Sequence, residues 1–420
     1  MRYLFVVLLL ISFSAYAQKK NTSVPVVKKP LSHSVYDNWK EIPFKSLTPD
    51  GTVAVMAINP QDGDGKAIFY HLKTNAQDSV KRVAEIGITF DSKQVVFKIK
   101  PQQKVVKELR RQKKKKEDLP KDSLGIYSIA ARKTEKVAEV KSFKIPEKAG
   151  GWLAYQLEAR KEVKPKAEEK SKSEVKPEEK KEEKKPEQKA KKKKANTDDN
   201  GYTLVLRSFA DGKEKSFGYV KDYLFAKFGQ GLLFSSTGND STMKAGVYWY
   251  DLTNGSLAAL HQGKSKFKYK GLSISEDGKQ AAFLVDTDTT KALVRHFQLH
   301  GWKQGEPSAK LIDAENSSAL PTNWLVSEHY TPLFSKDGGK LFFGSSPIPA
   351  VADTTLLPEE MAVVEVWGGN DDYIYPQQNK QLDTEKKRSY LVAYDLATKR
   401  CPRLPSATKA IQKFCWGKVT

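Results

Sequence analysis

Two acidic pairs, Glu359-Glu360 and Asp371-Asp372, sit near Trp367, Tyr373 and Tyr375. Carboxylates beside aromatic faces can hold the ammonium terminus of a peptide through charge, with the rings adding cation–π attraction. These four acids are therefore candidate peptide-amine-binding residues, although a solvated acidic loop has the same composition and is the favoured reading. His296 and His300 are four apart, a spacing that suits a metal on a helix. Their segment, Leu293–Leu299 and onward, is strand-like, where four residues span roughly 13 Å, so a shared metal is not expected. The other histidines, His33, His71, His261 and His329, show no ligand spacing. No catalytic residue is identifiable. A serine hydrolase elbow needs Gly-x-Ser-x-Gly, and the nearest stretch, Gly271-Leu-Ser-Ile-Ser275, lacks the second glycine. There is no phosphate-binding Walker loop, no dinucleotide glycine pattern and no His-Glu-x-x-His, so no cofactor or metal is expected.

The elements that would carry such residues repeat. Ile274-Ser-Glu-Asp-Gly-Lys-Gln-Ala-Ala-Phe283 returns as Leu47-Thr-Pro-Asp-Gly-Thr-Val-Ala-Val55, Ile88-Thr-Phe-Asp-Ser-Lys-Gln-Val-Val-Phe97 and Leu333-Phe-Ser-Lys-Asp-Gly-Gly-Lys-Leu-Phe-Phe343. Each is an apolar run, a tight polar turn and a second apolar run, which is a β-hairpin. Ile68–Asn75, Val247–Gly255 and Leu391–Thr398 supply a recurring third strand. The spacing predicts an all-β fold, a β-propeller of four-stranded antiparallel blades, with about six present and the ring incomplete or unclosed. Blades are expected at about 43–85, 86–141, 142–221, 222–261, 268–314 and 329–400, within a few residues. In the third and fourth the turn has lost its Asp and kept glycines, as Glu147-Lys-Ala-Gly-Gly151 and Phe228-Gly-Gln-Gly231.

The net charge of +22 is concentrated. Lys100 to Glu117 holds nine Lys/Arg against two Glu, and Glu158 to Ala195 holds sixteen against ten. Both interrupt a blade between its second and third strands, as does Ser345–Arg388, so all three should leave one rim. The charge lacks interleaved aromatics, which argues against nucleic acid as a partner. Glu158–Ala195, within the 158–200 insertion, has almost nothing to bury and contains Pro165, Pro177 and Pro186. It is expected to be a disordered tether, with electrostatic contact to acidic envelope surfaces as the alternative role.

Arg2, the apolar run Leu4–Ile11 and Ala15-Tyr16-Ala17 form a signal-peptide pattern over 1–17, with cleavage before Gln18. A lead-in segment, 18–42, then precedes a propeller domain at 43–400. The apolar run is too short for a comfortable membrane span and no second one follows, so the product is expected to be secreted or periplasmic. Cys401 and Cys415 fall in an atypical tail, 401–420, with no indication that they matter to the fold. Its Arg400-Cys-Pro-Arg-Leu-Pro stretch stands where a fourth strand should follow, which suggests truncation or a changed reading frame near residue 400.

Lys29-Pro-Leu-Ser-His-Ser-Val-Tyr-Asp-Asn-Trp39, Asn59-Pro-Gln-Asp-Gly-Asp-Gly65 and Asp118-Leu-Pro-Lys-Asp-Ser-Leu-Gly-Ile-Tyr127 resemble the N-terminal half of exported prolyl oligopeptidase-family serine peptidases of Bacteroidetes-type bacteria. Val364-Glu-Val-Trp-Gly-Gly-Asn-Asp-Asp-Tyr373 and Lys387-Arg-Ser-Tyr-Leu391 look like the same proteins. The resemblance runs from about Lys29 to Arg400. It implies a propeller that caps an α/β-hydrolase domain and admits unfolded peptides, with Ser, Asp and His following the propeller. None of the three has a matching position here, so the resemblance implies the cap without the catalyst. A peptide substrate would be met through the hydrolase of a longer parent. The rival reading is a non-catalytic binding adaptor similar to the propeller of the Tol envelope system, which uses the same Asp-Gly-Lys turns. A structural surface protein tethered by the Lys/Glu segment is a weaker third.

Overall fold

The structure, a computed structural model, describes residues 33–158, 200–238, 243–290, 292–312, 320–349, 351, 360 and 368–400. The signal-peptide pattern, most of the Lys/Glu insertion, Glu359, Trp367, Cys401 and Cys415 lie outside these residues. After a 3-10 turn at His33–Asn38, blade one comprises β1 (Lys40–Leu47), β2 (Val53–Pro60), β3 (Lys66–His71) and β4 (Ala76–Lys81), paired in chain order. Blade two follows as β5 (Val83–Ile88), β6 (Gln94–Ile99), β7 (Ser123–Ser128) and β8 (Lys133–Val137).

Blades three and four share one seven-stranded sheet of β9 (Val140–Lys144), β10 (Trp152–Leu157), β11 (Tyr202–Ser208), β12 (Glu214–Phe225), β13 (Gly231–Ser236), β14 (Ala245–Asp251) and β15 (Leu257–Gly263). The twelve-residue β12 joins them. Its first part pairs with β11 as the outer strand of blade three, and from Val220 onward it pairs with β13 as the inner strand of blade four. Blade five is β16 (Lys268–Ile274), β17 (Gln280–Asp286), β18 (Phe297–Lys303) and β19 (Lys310–Ile312). In blade six the inner strand is broken into β20 (Trp324–Val326) and β21 (Leu333–Phe334), both paired with β22 (Lys340–Pro347), which also pairs with β23 (Tyr390–Asp395). Blades one and six begin earlier than the repeat predicted, and β18 begins four residues later than the Leu293 expected from sequence. Arg295 explains that delay: its side chain turns in to bond Asp286 and the carbonyls of Asp288 and Thr290.

The recurring turns owe their shape to one more residue than the Asp and Gly that mark them. Thr48, Thr89, Ser275 and Ser335 each stand two positions before the turn's Asp. In blade five, the Ser275 hydroxyl donates to Asp277 Oδ1 and accepts the Gln280 amide at 2.9 Å as the chain returns. Blade six repeats this with Ser335, Asp337 and the Lys340 amide, and blade two with Thr89 and the Gln94 amide. Gly51, Gly278 and Gly338 take up the left-handed conformation there, with φ of 70°, 72° and 69°; blade two places Ser92 at that position with φ 57°.

Each pair of successive blades encloses one apolar cluster. Alternate residues of a second strand serve opposite neighbours: Val95 and Phe97 face blade one, Val96 faces blade three. Likewise Phe283 packs toward blade four with Trp249 and Trp302, and Leu284 toward blade six with Leu341 and Phe343. Second strands therefore read as unbroken apolar runs even in antiparallel sheets, because both faces are covered. Among the described residues no such cluster joins blade six to blade one. The six blades form an incomplete, open propeller, and β1 is exposed along nearly its whole length, with Ile42 at 54 % and Leu47 at 56 %.

The three long insertions connect β6 to β7, β10 to β11 and β22 to β23. The first folds into helix α1 (Gln103–Arg111), which the basic low-complexity composition did not foretell. Helix α1 docks on the matching loop of blade one: the Gln103 amide donates to Asp64 and Lys107 pairs with Asp62 at 2.5 Å. The third carries helix α2 (Tyr375–Glu385). No helix among the described residues is long and apolar enough to cross a membrane.

Candidate functional site: the axial cavity

Innermost strands of propellers surround an axis, and here β5, β9, β12 and β16 line a cavity of about 510 Å³ at the end where their turns emerge. Its apolar wall is built from Ile86, Phe143, Ile145, Leu224, Phe225 and Ile274. Its charged groups arrive one or two per blade. Lys227, just past β12, donates to Glu276 Oε1 at 2.6 Å and lies 3.5 Å from Glu147 Oε1. Three blades are thus tied by one ammonium group at the cavity mouth. The hydrogen bond to Glu276 raises the Lys227 pKa and lowers that of Glu276, so both stay ionised at neutral pH.

On the blade-two side, Glu85 of β5 holds Lys98 at 2.8 Å. Lys144 of β9 donates to the Tyr223 carbonyl at 2.7 Å and lies 5.2 Å from the Tyr223 ring centre. By area Lys144 is open to the cavity, yet protein surrounds most of it, and it is this surrounding that governs its acidity. Burial lowers its pKa, and the Asp222 carboxylate offsets part of the effect. Ser142 bonds both Gln156 and the Tyr223 hydroxyl at 2.9 Å, and the Gln156 amide donates to the Val220 and Lys221 carbonyls. This polar set satisfies β12 where it bends from one blade to the next.

Among the described residues neither histidine nor cysteine lines this cavity, and its serine hydroxyl, Ser275, is committed to the turn through Asp277. An apolar wall rimmed by paired cations and carboxylates is suited to holding or passing a polypeptide, which offers both charge types and a hydrogen-bonding backbone. Among the described residues no group of three or more His, Cys, Asp or Glu could hold a metal.

Of the acids singled out from sequence, Glu360, Asp371 and Asp372 do not line this cavity. Asp371 accepts bonds from the Gly368 amide and the Gln378 side chain, both at 3.2 Å, and so shapes the entry to α2. Asp372 and Glu360 are exposed, and Glu359 lies outside the described residues. His300 is buried on β18 while His296 is exposed before the strand begins. Sequence reasoning missed Glu85, Lys98, Lys144, Glu147, Lys227 and Glu276. A signal existed for some of them, since charges on strands assigned next to the axis have nowhere to go except the cavity.

No protein-family model matches the chain, and no curated protein does. Solved structures do match. Dipeptidyl peptidase 4 of Porphyromonas gingivalis is 10 % identical with a TM-score of 0.44, covering 89 % of this chain and 46 % of that one. Acylaminoacyl peptidase of Pyrococcus horikoshii is 10 % identical with a TM-score of 0.37, covering 74 % and 43 %. TolB from Acinetobacter baumannii is 10 % identical with a TM-score of 0.32, covering 87 % and 63 %. The chain spans less than half the length of either peptidase. At this level of similarity they say nothing of what this chain does.

Proposed function

We propose that this chain is the substrate-gating propeller portion of an exported serine peptidase of the prolyl oligopeptidase type, with bond cleavage carried by a hydrolase domain outside it. The observation that carries the reading is the axial cavity, where charged groups from successive blades meet around an apolar wall with no nucleophile–base pair among the described residues. A passage of this kind selects extended peptides by width and leaves chemistry to another domain. The motif resemblance over Lys29–Arg400 supports the same reading and supplies the serine-peptidase class. The signal-peptide pattern supports export, and the Lys/Glu insertion would serve as a solvated tether on the propeller rim.

The coding DNA beyond the codon for Thr420, read in all three frames, tests the proposal. A Gly-x-Ser-x-Gly elbow there, followed by Asp and His, is the expected result. Its absence would favour the second reading, a periplasmic binding adaptor similar to the Tol-system propeller, which shares the Asp-Gly-Lys turns at Asp277 and the open binding faces. A fluorophosphonate probe should leave the purified 420-residue product unlabelled; labelling would contradict the division of labour.

A further inference from the structure

Several seams between blades are fastened at one recurring place, where the fourth strand of one blade faces the third strand of the next. Between blades one and two, Asp78 of β4 takes a paired contact from Arg132, just past β7, at 2.8 Å for both bonds. Between blades two and three, Glu135 of β8 takes the same contact from Arg207 of β11 at 2.6 and 2.7 Å. Between blades four and five the position holds two histidines instead. His261 of β15 and His300 of β18 stand edge to face, with ring centres 4.9 Å apart and planes at 74°.

His300 is 8 % exposed and lies flat along Phe283, ring centres 5.8 Å apart at 7°. Both of its ring nitrogens are enclosed without a hydrogen-bond partner. His261 makes one bond, from Nδ1 to the Tyr269 hydroxyl at 3.1 Å. An imidazolium at His300 would be stripped of water, would find no acceptor for either N–H, and would face a second imidazole. The contact is therefore compatible with the neutral ring alone. Burial pushes both imidazoles down, His300 to about 4 from the ordinary 6.5. The titratable groups facing the pair are Tyr269 of β16 and, beside it, Tyr248 of β14, phenols that burial holds neutral. From β14 to β19 no carboxylate, lysine or arginine acts on either ring.

We propose that the seam between blades four and five is an acid-sensitive latch, in which proton uptake by the His261–His300 pair parts these two blades while the acid–arginine seams stay closed. In the closed seam His300 is neutral, and once the seam opens it titrates near its ordinary value. As pH falls below about 6.5 the open form gains a proton that the closed form refuses. The open-to-closed ratio then rises roughly tenfold per pH unit until about 4. Asp78 and Glu135, whose carboxyls Arg132 and Arg207 hold below their ordinary range, remain ionised across this window.

Hydrogen exchange of the full chain at about pH 7 and about pH 5.5, corrected for intrinsic exchange rates, reads the opening ratio directly. Peptides from β15 and β18 should lose protection by roughly tenfold relative to peptides from β4 and β7. His300→Phe keeps the stack on Phe283 and leaves His261 alone to take up a proton, so it should shrink the difference well below that of wild type. His300→Asn, also without charge, guards against a packing fault in the first variant. Unchanged protection at β15 and β18, equal loss at every seam, or the wild-type pH response retained in both variants would overturn the latch. So would zinc chloride at about pH 7 raising protection of these peptides in wild type alone, which would make the pair a metal site.

Discussion

Tyr127 joins blades one and two through three side chains at once. Its ring stacks on Phe69 with centres 4.2 Å apart, and its hydroxyl donates to Asp78 at 2.6 Å while lying 2.9 Å from His71 Nε2. Burial, followed by the bond to Asp78, raises its pKa above the ordinary tyrosine value, so it stays a donor at any physiological pH. Tyr127→Phe keeps the stack and leaves Asp78 and His71 short of a partner, and should cost about 1–2 kcal/mol in urea unfolding. Acid stability should report a different residue. The Thr48 hydroxyl, ahead of the Thr52 amide, holds the Asp50 carboxyl down to about 2 from 3.8. The unfolded chain takes up that proton first as pH falls, so the contribution is complete above about 3.8 and fades toward about 2. Because Asp50 is exposed the effect is small, and Asp50→Asn should flatten the melting temperature against pH in that interval alone.

At the scale of elements, glycines inside strands mark where neighbouring side chains cross. Gly125 on β7 pairs with Phe97 on β6, and a Cβ at Gly125 would come within 2.2 Å of the Phe97 ring. Gly125→Ala should destabilise the blade-one to blade-two seam by about 1–3 kcal/mol, measured as a shift in urea midpoint at constant slope. The insertions behave in the opposite way. β10 and β11 pair in continuous register from Trp152–Ser208 to Leu157–Thr203, so the ladder does not depend on what joins them. Replacing 159–199 with a short Gly/Ser loop should leave the unfolding midpoint within about 0.5 kcal/mol of the parent. The Asp-Gly hairpins and third strands were legible in the sequence because their turn chemistry and alternation are local. The continuity of β12 through two blades was not, since a bend within a strand changes partners without changing composition.

For the whole molecule, each blade packs only on its neighbours, so stability should be distributed seam by seam. Phe69→Ala, emptying a fully buried site, should cost about 3–5 kcal/mol. Its loss of hydrogen-exchange protection should be confined to blades one and two, with β17 and β18 unaffected. Uniform loss would mean that the open ring still folds as one cooperative unit.

Local pattern determined the hairpins and their order, because tight polar turns and the apolar runs beside them act between positions a few apart. The four acids of the blade-six insertion drew attention for the same reason, proximity along the chain. Tertiary structure alone decided which charges meet: Glu147, Lys227 and Glu276 come together, as do His261 and His300, because winding blades around an axis joins residues that the chain keeps far apart.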